Sequence, residues 1–325
     1  MANIIAKIGI YGDIHLSSKD YGGHRDYPTE SLEYFTAITN LTEQLGLTHL
    51  IGTGDFTFGR FHKLEYRERV EEELEKQNKI TNGNRFEILG NHDLMTNGMS
   101  EYQYYVRKGL LKASTNFTVG NLNISMLDYK KDGKYKREDT INSFDGRVNA
   151  VIAHQFFKFT NSAIANFGDA ILLDTNEALF GTDYLLCGHV HHRMSFSGTI
   201  KYGEYKRDCY VQYIGCMTRP AYREGLMDTV GNVVVFTVYD DGKIEFDTHE
   251  IPLWPIEKAF NLDAKQAEKE KKAEKLARVD ITDIVKQLDA HDRNVGNPED
   301  IINAMIGIDD KYKNKAISLL QNALN

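Results

Sequence analysis

The segment KIGIYGD at residues 7–13 predicts a short buried strand that ends in a turn. Apolar residues at helical spacing between residues 28 and 45 predict a helix, which Pro28 opens and Gly46 ends. The next segment, HLIGTGD at residues 49–55, predicts a second buried strand. Strand, helix and strand in this order begin a layered α/β fold, in which chemistry is carried out at the carboxyl ends of the strands.

A third strand and a second sheet follow this unit. RFEIL at residues 85–89 predicts the third strand, after a highly charged helix at residues 61–79. Beyond about residue 115 the sequence changes to short apolar segments whose spacing predicts a second sheet packed against the first. Residues 129–146 are polar and predict a surface loop. We therefore expect an α/β protein with a two-sheet sandwich flanked by helices.

The composition excludes several classes of protein. The 325 residues are 41% hydrophobic and 26% charged, which is ordinary for globular proteins of about this size. The net charge of −8 disfavours a protein that coats nucleic acid, but not an enzyme that reaches DNA through metals, a local patch or a partner. No apolar run approaches the ~20 residues of a membrane span, and no secretory signal is evident. Three cysteines are too few for a disulfide framework, so we expect a cytoplasmic protein without membrane association.

Five polar motifs follow the predicted strands, and they share Asp, Asn and His residues. They are GDIH (12–15), GTGD (52–55), GNHD (90–93), AH (153–154) and GHVH (188–191). Each motif alone also fits a structural role such as a cap, a turn or a hydrogen-bonded core histidine. Because all five follow β-rich segments and four contain a glycine that permits a tight turn, their joint occurrence predicts one site.

These motifs supply a set of oxygen and imidazole ligands for metal ions. The candidate ligands are Asp13, His15, Asp55, Asn91, His154, His189 and His191. Seven ligands are too many for one tetrahedral zinc ion, but they suit two divalent metals that share a bridging carboxylate. A set without thiolate favours manganese, with iron or magnesium also possible. Two such metals polarise a phosphoryl oxygen and generate a nucleophile for in-line attack.

The five motifs resemble those of the calcineurin-like metallophosphoesterases, in the family's order across residues 12–192. The resemblance implies a first metal on Asp13, His15 and His191, a second on Asn91, His154 and His189, and Asp55 as the bridge. It also implies that His92 is the catalytic histidine, which faces the scissile phosphate and assists the leaving oxygen, and that Asp93 orients it.

Three further segments resemble the SbcD family of double-strand-break repair nucleases. They are HLSSKDYGGHRDYPTESLEYF (15–35), YIGCMTRPAYREG (213–225) and IPLWPI (251–256). This resemblance implies a two-metal exo- or endonuclease that acts on DNA with an SbcC-like ATPase of the SMC type, in repair, recombination or degradation, and that forms a homodimer. The chain departs from the family at Phe58, where His or Asp is frequent, and in a short or missing cap domain.

Alternatives stay open for the function and for two surface features. The chain also fits a metallophosphoesterase of another substrate class, such as a cyclic-nucleotide phosphodiesterase or a phosphoprotein phosphatase. A further alternative is a non-catalytic scaffold that retains the fold. The charged helix is either a dimer helix with an apolar seam of Leu64, Val70 and Leu74, or a solvated face. The best candidate patch for DNA contact consists of Lys130, Lys131, Lys134, Lys136 and Arg137. The alternative is that these residues belong to a mobile loop.

The sequence predicts three regions: a nuclease core at 1–256, a charged connector helix at 257–279 and a helical C-terminal element at 280–325. The connector is too polar to bury a face. The short amphipathic helices of the last region offer too little apolar area for a core of their own. SbcD-like nucleases carry a C-terminal helical element that docks on the ATPase, so the resemblance implies partner binding here. The alternative is an appendage that folds back on the core.

Overall fold

The first strand, Ile4–Tyr11, alternates its side chains between two apolar layers, and the remaining elements are arranged around it. In chain order the helices and strands are β1 (Ile4–Tyr11), α1 (Tyr27–Leu45), β2 (His49–Gly52), α2 (Leu64–Ile80), β3 (Arg85–Glu87), α3 (Glu101–Arg107), β4 (Phe117–Val119), β5 (Leu122–Leu127), β6 (Val148–Ala153), β7 (Phe157–Lys158), β8 (Ile171–Leu172), β9 (Tyr184–Cys187), β10 (Met194–Tyr202), β11 (Tyr205–Tyr213), β12 (Val230–Tyr239), β13 (Ile244–Pro252) and α4 (Ile256–Ala259).

These elements come from a computed structural model, which describes residues 2–19, 25–94, 98–160, 170–218 and 230–261 together with isolated positions beyond 262. The chain divides into two compact units, Met1–Leu262 and Asp263–Asn325. The helices predicted within 280–325 and most of the predicted connector lie outside the described residues, so the predicted role of this region stays a prediction.

Two sheets form the first unit. One has five strands in the order β13-β12-β1-β2-β3, with β1, β2 and β3 parallel. The other has six strands in the order β10-β11-β9-β6-β5-β4, with β5, β6, β9 and β11 parallel. Parallel strands β7 and β8 form a separate pair. The predicted α/β fold with two sheets flanked by helices is confirmed.

The hydrophobic core fills the space between the sheets and the space between the first sheet and the helices. Ile8 and Ile10 on one face of β1 belong to the same buried cluster as Ile124 and Ile152 of the second sheet. Tyr11 belongs to the cluster that includes the apolar residues of α1 and α2. Burial on both faces explains why the strand reads as a nearly continuous apolar run, as parallel strands covered on both sides do.

The two long helices match their predicted positions, but the second one uses its apolar residues differently. Helix α1 has Asp26 as its N-cap and ends at Gly46, whose φ of 62° is left-handed. In α2, Val70 and Leu74 are fully buried in the core, whereas Leu64 is 67% exposed. Of the three residues of the predicted dimer seam, therefore, only Leu64 faces solvent, and the homodimer stays a prediction. Within the described residues, the helices include none that could cross a membrane.

Candidate metal centre

The five sequence motifs all lie just beyond the carboxyl ends of parallel strands. GDIH and GTGD follow β1 and β2, and GNHD comes shortly after β3 in the first sheet. His154 follows β6 and GHVH follows β9 in the second sheet. Both sheets therefore deliver polar side chains to one edge of the sandwich, where strand ends commonly form binding sites.

The first group of candidate ligands is closely packed. One ligand atom from each of Asp13, His15, Asp55 and His191 lies within 4.8 Å of the others. The Nε2 atoms of His15 and His191 are 3.1 Å apart, and His191 Nε2 is 3.9 Å from Asp13 Oδ2. His15 and both carboxylates are buried, whereas His191 is exposed. This arrangement leaves one side of the group open to solvent.

The second group surrounds the amide oxygen of Asn91. Its Oδ1 atom lies 3.0 Å from His154 Nε2 and 2.9 Å from His189 Nδ1. The Oδ2 atom of Asp55 is 3.3 Å from His154 Nε2 and 3.8 Å from His15 Nε2. One oxygen of Asp55 thus lies between histidines of both groups, which is the position that a bridging carboxylate needs.

Three of these residues have unusual backbone conformations. His15, Asp55 and His189 have φ values of 49°, 50° and 72°, in the left-handed region that non-glycine residues seldom adopt. The N–H of His15 donates to the carbonyl of Asp55 at 2.9 Å, and the hydroxyl of Tyr27 donates to the carbonyl of His15, also at 2.9 Å. Such conformations cost about 1–3 kcal/mol each and persist where surrounding contacts impose them, most often at functional sites.

Two glycines of the motifs allow the loops to approach each other. A Cβ atom on Gly188 would lie 2.3 Å from Asp13 Oδ1, and one on Gly90 would lie 2.1 Å from the backbone nitrogen of Asp55. Neither glycine has a positive φ. The expected reason for these two glycines was a tight turn, and the structure shows that close contact between loops is the reason instead.

The electrostatics of the site fit a divalent cation. Burial lowers the pKa of His15 well below its usual range and that of His189 to about 4, so both rings are neutral at neutral pH. Burial acts in the same direction on His154, but the carboxylates of Asp55 and Asp13 raise its pKa to about 9. Burial also raises the pKa of Asp13 to about 7. The neutral imidazoles of His15 and His189 and the two buried carboxylates surround one space, in which a metal would replace the proton that His154 carries.

His92 lies beside the ligand groups on their exposed side. Its backbone N–H donates to Asp55 Oδ1 at 2.8 Å, which ties it to the candidate bridging residue. Its ring is 5.3 Å from the ring of His15, edge to face, and the residue is exposed. This position suits a group that acts on a substrate rather than one that holds a metal.

Asp93 fixes the loops of the site. Its carboxylate accepts hydrogen bonds from the backbone N–H groups of Phe56, Thr57 and Gly90 at 2.9–3.2 Å and from the Thr57 hydroxyl at 3.1 Å. Among the described residues it makes no hydrogen bond to the His92 ring. Asp93 therefore positions His92 through the backbone, by joining the loop that carries Asp55 to its own loop.

A model of the family described as calcineurin-like phosphoesterase matches residues 6–193, more than half of the chain. The chain belongs to this family. Its members are metal-dependent hydrolases that typically bind two divalent metals, and the clustered Asp and His ligands agree with that chemistry.

Similar solved structures include a dimetal phosphatase from Danio rerio, which is 11% identical with a TM-score of 0.39 over 76% of this chain and 99% of that one. Another is Vps29 from Chaetomium thermophilum, which is 10% identical with a TM-score of 0.30 over 76% of this chain and 98% of that one. No curated protein matches the sequence.

Two residues at this calcineurin-like centre were missed by the sequence analysis. Thr53 donates its hydroxyl to Asp13 Oδ1 at 3.1 Å, and its carbonyl accepts from His154 Nδ1 at 2.8 Å. The second bond directs Nε2 of His154 toward the site, as partners of metal-binding histidines do. Cys216 lies with His15 and His191 in a group that could hold a metal, and its thiol donates to the carbonyl of Asp13 at 3.1 Å. Thr53 stands inside the GTGD motif, whereas Cys216 stands in the SbcD-like segment at 213–225 and outside every predicted metal-binding motif.

A buried charged network lies behind the bridging loop. Arg85 and Glu87 form a 2.7 Å ion pair with both side chains completely buried. Glu87 also accepts from the Tyr11 hydroxyl at 2.5 Å and from the Gly54 N–H at 3.4 Å, and Arg85 donates to Gln77 at 2.7 Å. Because Gly54 directly precedes Asp55, the network supports the backbone of the candidate bridging ligand.

The predicted basic patch is partly neutralised within the chain. Lys130 pairs with Asp139 at 2.7 Å and Lys136 with Glu138 at 3.6 Å. Arg137 donates to the Thr140 hydroxyl at 2.9 Å and to a backbone carbonyl. The two ion pairs lower the net positive charge of the patch, and the hydrogen bonds of Arg137 engage its guanidinium without neutralising it. Contact of the patch with DNA stays a prediction.

Proposed function

We propose that this calcineurin-like phosphoesterase is a two-metal phosphodiesterase that cleaves DNA, an SbcD-like nuclease subunit that works with an SMC-type ATPase. Family membership accounts for the metals and for phosphoester hydrolysis. The choice of DNA rests on the three segments that resemble SbcD nucleases and on how those segments meet in the structure.

The observation that carries the proposal is that these three segments converge around helix α1. The hydroxyl oxygen of Tyr27, in the first segment, lies 2.9 Å from that of Thr218 in the second. Glu33, also in the first, accepts from the indole N–H of Trp254 in the third at 2.6 Å, and Tyr34 bonds to the Trp254 backbone. The second and third segments, about 190 and 220 residues further along the chain, therefore contact the first segment at helix α1, and the three form one shared region.

This shared region adjoins the first ligand group. The N–H of Met217 donates to the carbonyl of Asp13 at 2.7 Å, and the hydroxyl of Thr218 donates to the carbonyl of Ile14 at 3.0 Å. Residues 219–225 of the second segment lie outside the described residues. The SbcD-like features and the candidate metal ligands thus belong to one structural unit, which supports the narrower resemblance.

The site assigns distinct tasks to its residues. One metal would be held by Asp13, His15 and His191, the other by Asn91, His154 and His189, with Asp55 between them. When bound, two divalent metals, most favourably manganese, activate a nucleophile and stabilise charge on the phosphoryl oxygens. His92, exposed beside the groups, would donate a proton to the leaving oxygen. Asp93 and Thr53 would hold the loops and the His154 ring in place.

The partners follow from the same resemblance. The SMC-type ATPase would dock on the C-terminal element at 280–325, two copies of the chain would pair, and the complex would act on DNA in the cytoplasm. The negative net charge fits a nuclease subunit that reaches DNA through its metals and its partner rather than through a wholly basic surface.

A comparison of substrates tests the proposal. End-labelled linear duplex DNA, a cyclic nucleotide and a phosphopeptide are each incubated with manganese, with and without the cognate ATPase. We expect DNA cleavage that a chelator abolishes, that manganese restores better than calcium does, and that the His92→Ala variant lacks. Hydrolysis of the cyclic nucleotide or the phosphopeptide without DNA cleavage would replace the nuclease by another phosphoesterase, and full activity in the chelator would exclude the metals.

A further inference from the structure

Phe58 places a half-buried aromatic ring beside the first ligand group. Its ring centre lies 5.1 Å from that of His92 and 5.9 Å from that of His15. Its backbone N–H donates to the carbonyl of Leu16 at 2.8 Å, which fixes the loop that carries it. By contrast, Phe56, two residues earlier, is completely buried and packs against Phe35 in the core. Phe58 therefore borders the site instead of filling the core.

Tyr129 occupies the equivalent place beside the second ligand group. Its ring centre lies 5.9 Å from that of His189 and 6.2 Å from that of His154. It is also half-buried, and its backbone N–H donates to the carbonyl of Leu89 at 2.8 Å. The candidate metal centre thus has an aromatic ring against each of its two histidine groups.

A phosphodiester group gains little from such rings, because it is anionic and strongly hydrated. A nucleobase, in contrast, stacks on aromatic side chains, and this stacking tolerates any base sequence because every base has a π-face. Inside a duplex both faces of a base are already stacked and its edge is paired, so a base there reaches a protein ring only when it leaves the helix, whereas a frayed end presents its bases directly. Two rings beside the centre therefore suit a phosphodiester whose neighbouring bases are unpaired.

We infer that Phe58 and Tyr129 are specificity-determining residues that stack the bases next to the scissile phosphate, so that the preferred substrate is a single-stranded or frayed stretch of nucleotides. This inference rests on the proposed nuclease function and names its substrate class. Phe58 contributes on the side of His15 and His92, and Tyr129 on the side of His154 and His189.

The test compares two end-labelled single strands of equal length with manganese. One is oligothymidylate, and the other carries abasic tetrahydrofuran residues around the cleavage position, which keep the phosphates and remove the bases. We expect the wild-type chain to cleave the thymidylate strand faster. Phe58→Leu or Tyr129→Leu should each reduce the ratio of the two rates by roughly 5- to 150-fold, the range of one lost base stack.

Matched variants separate stacking from packing. Phe58→Tyr and Tyr129→Phe keep a ring and should keep the ratio of rates. Phe144→Leu removes an exposed aromatic ring that packs on Tyr205, and it should not change the ratio. The metal content of every variant is measured by atomic emission, because a lost metal would lower both rates without changing base dependence.

The outcomes are distinguishable. Equal cleavage of both strands by the wild-type chain, or an unchanged ratio in both leucine variants, would overturn the inference while DNA cleavage stood. Loss of metal from Phe58→Leu or Tyr129→Leu would show that the ring in question supports the ligands instead of the substrate. Cleavage of neither strand, together with hydrolysis of a non-nucleic-acid phosphoester, would overturn the proposed function itself.

Discussion

The Nε2 atoms of His15 and His191 lie 3.1 Å apart. Burial lowers the pKa of His15, so its ring is neutral at neutral pH. Two imidazole nitrogens can face each other at this distance if they share one proton or bind one cation. The carboxylates of Asp13 and Asp55 border the same space, so a divalent cation would satisfy all four groups at once. The Nδ1 atom of His15 is buried and has no hydrogen-bond partner among the residues that the structure describes, and Nε2 is the nitrogen that faces the site.

His92→Ala separates metal binding from chemistry. The ring lies outside the ligand groups, so the variant should keep its metals and lose about 10²–10⁴-fold in phosphodiester cleavage, the usual contribution of a general acid. Metal content and the cleavage rate are measured on the same sample. His249→Ala, on strand β13, is the matched control and should behave like the wild-type chain. If His92→Ala lost its metals, the histidine would be a ligand.

Metal affinity should fall as the pH falls. In the metal-free protein the carboxylates of Asp55 and Asp13 outweigh burial and raise the pKa of His154 to about 9, so this ring carries a proton at neutral pH. A metal must displace that proton, and affinity should drop about tenfold per pH unit below that pKa. Asp13, whose pKa burial raises to about 7, should steepen the loss in more acidic solution. Calorimetric titrations in buffers of different ionisation enthalpy count the protons, and a count of zero would contradict the assignment.

Tyr27→Phe tests how the backbone of His15, a candidate ligand with a left-handed φ, is held in place. The hydroxyl of Tyr27 is buried and donates to the carbonyl of His15, so its removal leaves a buried acceptor unpaired. We expect a loss of about 1–3 kcal/mol in the free energy of unfolding and weaker binding of the first metal. Urea denaturation and a metal titration measure the two effects. Tyr239→Phe, which removes a hydroxyl bonded to Glu245 far along the chain, should leave metal affinity unchanged.

Glu87→Gln should destabilise the protein strongly. The substitution leaves the charge of Arg85 buried without its counter-ion, and breaking such pairs costs about 3–5 kcal/mol. The double variant Arg85→Met with Glu87→Leu should lose less stability than the sum of the single variants Arg85→Met and Glu87→Leu, because no unpaired charge stays buried. Urea denaturation of the wild-type chain, Arg85→Met, Glu87→Leu and the double variant gives the coupling free energy. Strict additivity would mean that the pair does not act as a unit.

Deletion of residues 280–325 should separate cleavage from partner binding. The candidate site lies entirely within Met1–Leu262, which is a compact unit by itself. Metal-dependent cleavage of single-stranded DNA should therefore survive, whereas co-purification with the ATPase and ATP-stimulated cleavage of duplex DNA should disappear. Unchanged ATPase binding by the truncated chain would refute the docking role, and loss of solubility with loss of core activity would favour an element that folds back on the core.

The sequence by itself determined the fold class, the succession of the main strands and helices along the chain, and the polar motifs that gather at the site. Runs such as KIGIY and HLIG are apolar because both faces of a parallel strand are covered, and that pattern is local. The motifs after them, from Asp13 to His191, are recognisable because strand ends of a layered fold meet at one edge. Polar clusters directly after apolar runs therefore predicted a shared centre.

Tertiary structure alone decided which contacts each of these residues makes. The Oδ2 atom of Asp55 lies between His15 and His154 because distant strands bring these residues together. Asp93 binds the loop that carries Phe56 and Thr57 and, within the described parts of the chain, makes no hydrogen bond to the His92 ring. Val70 and Leu74 are core residues because other elements cover their helix. Cys216 reaches Asp13 across about 200 residues. Residue type and spacing encode which face of an element is apolar, but the contacts made by a side chain depend on how whole elements pack, because packing fixes distances that no local pattern contains.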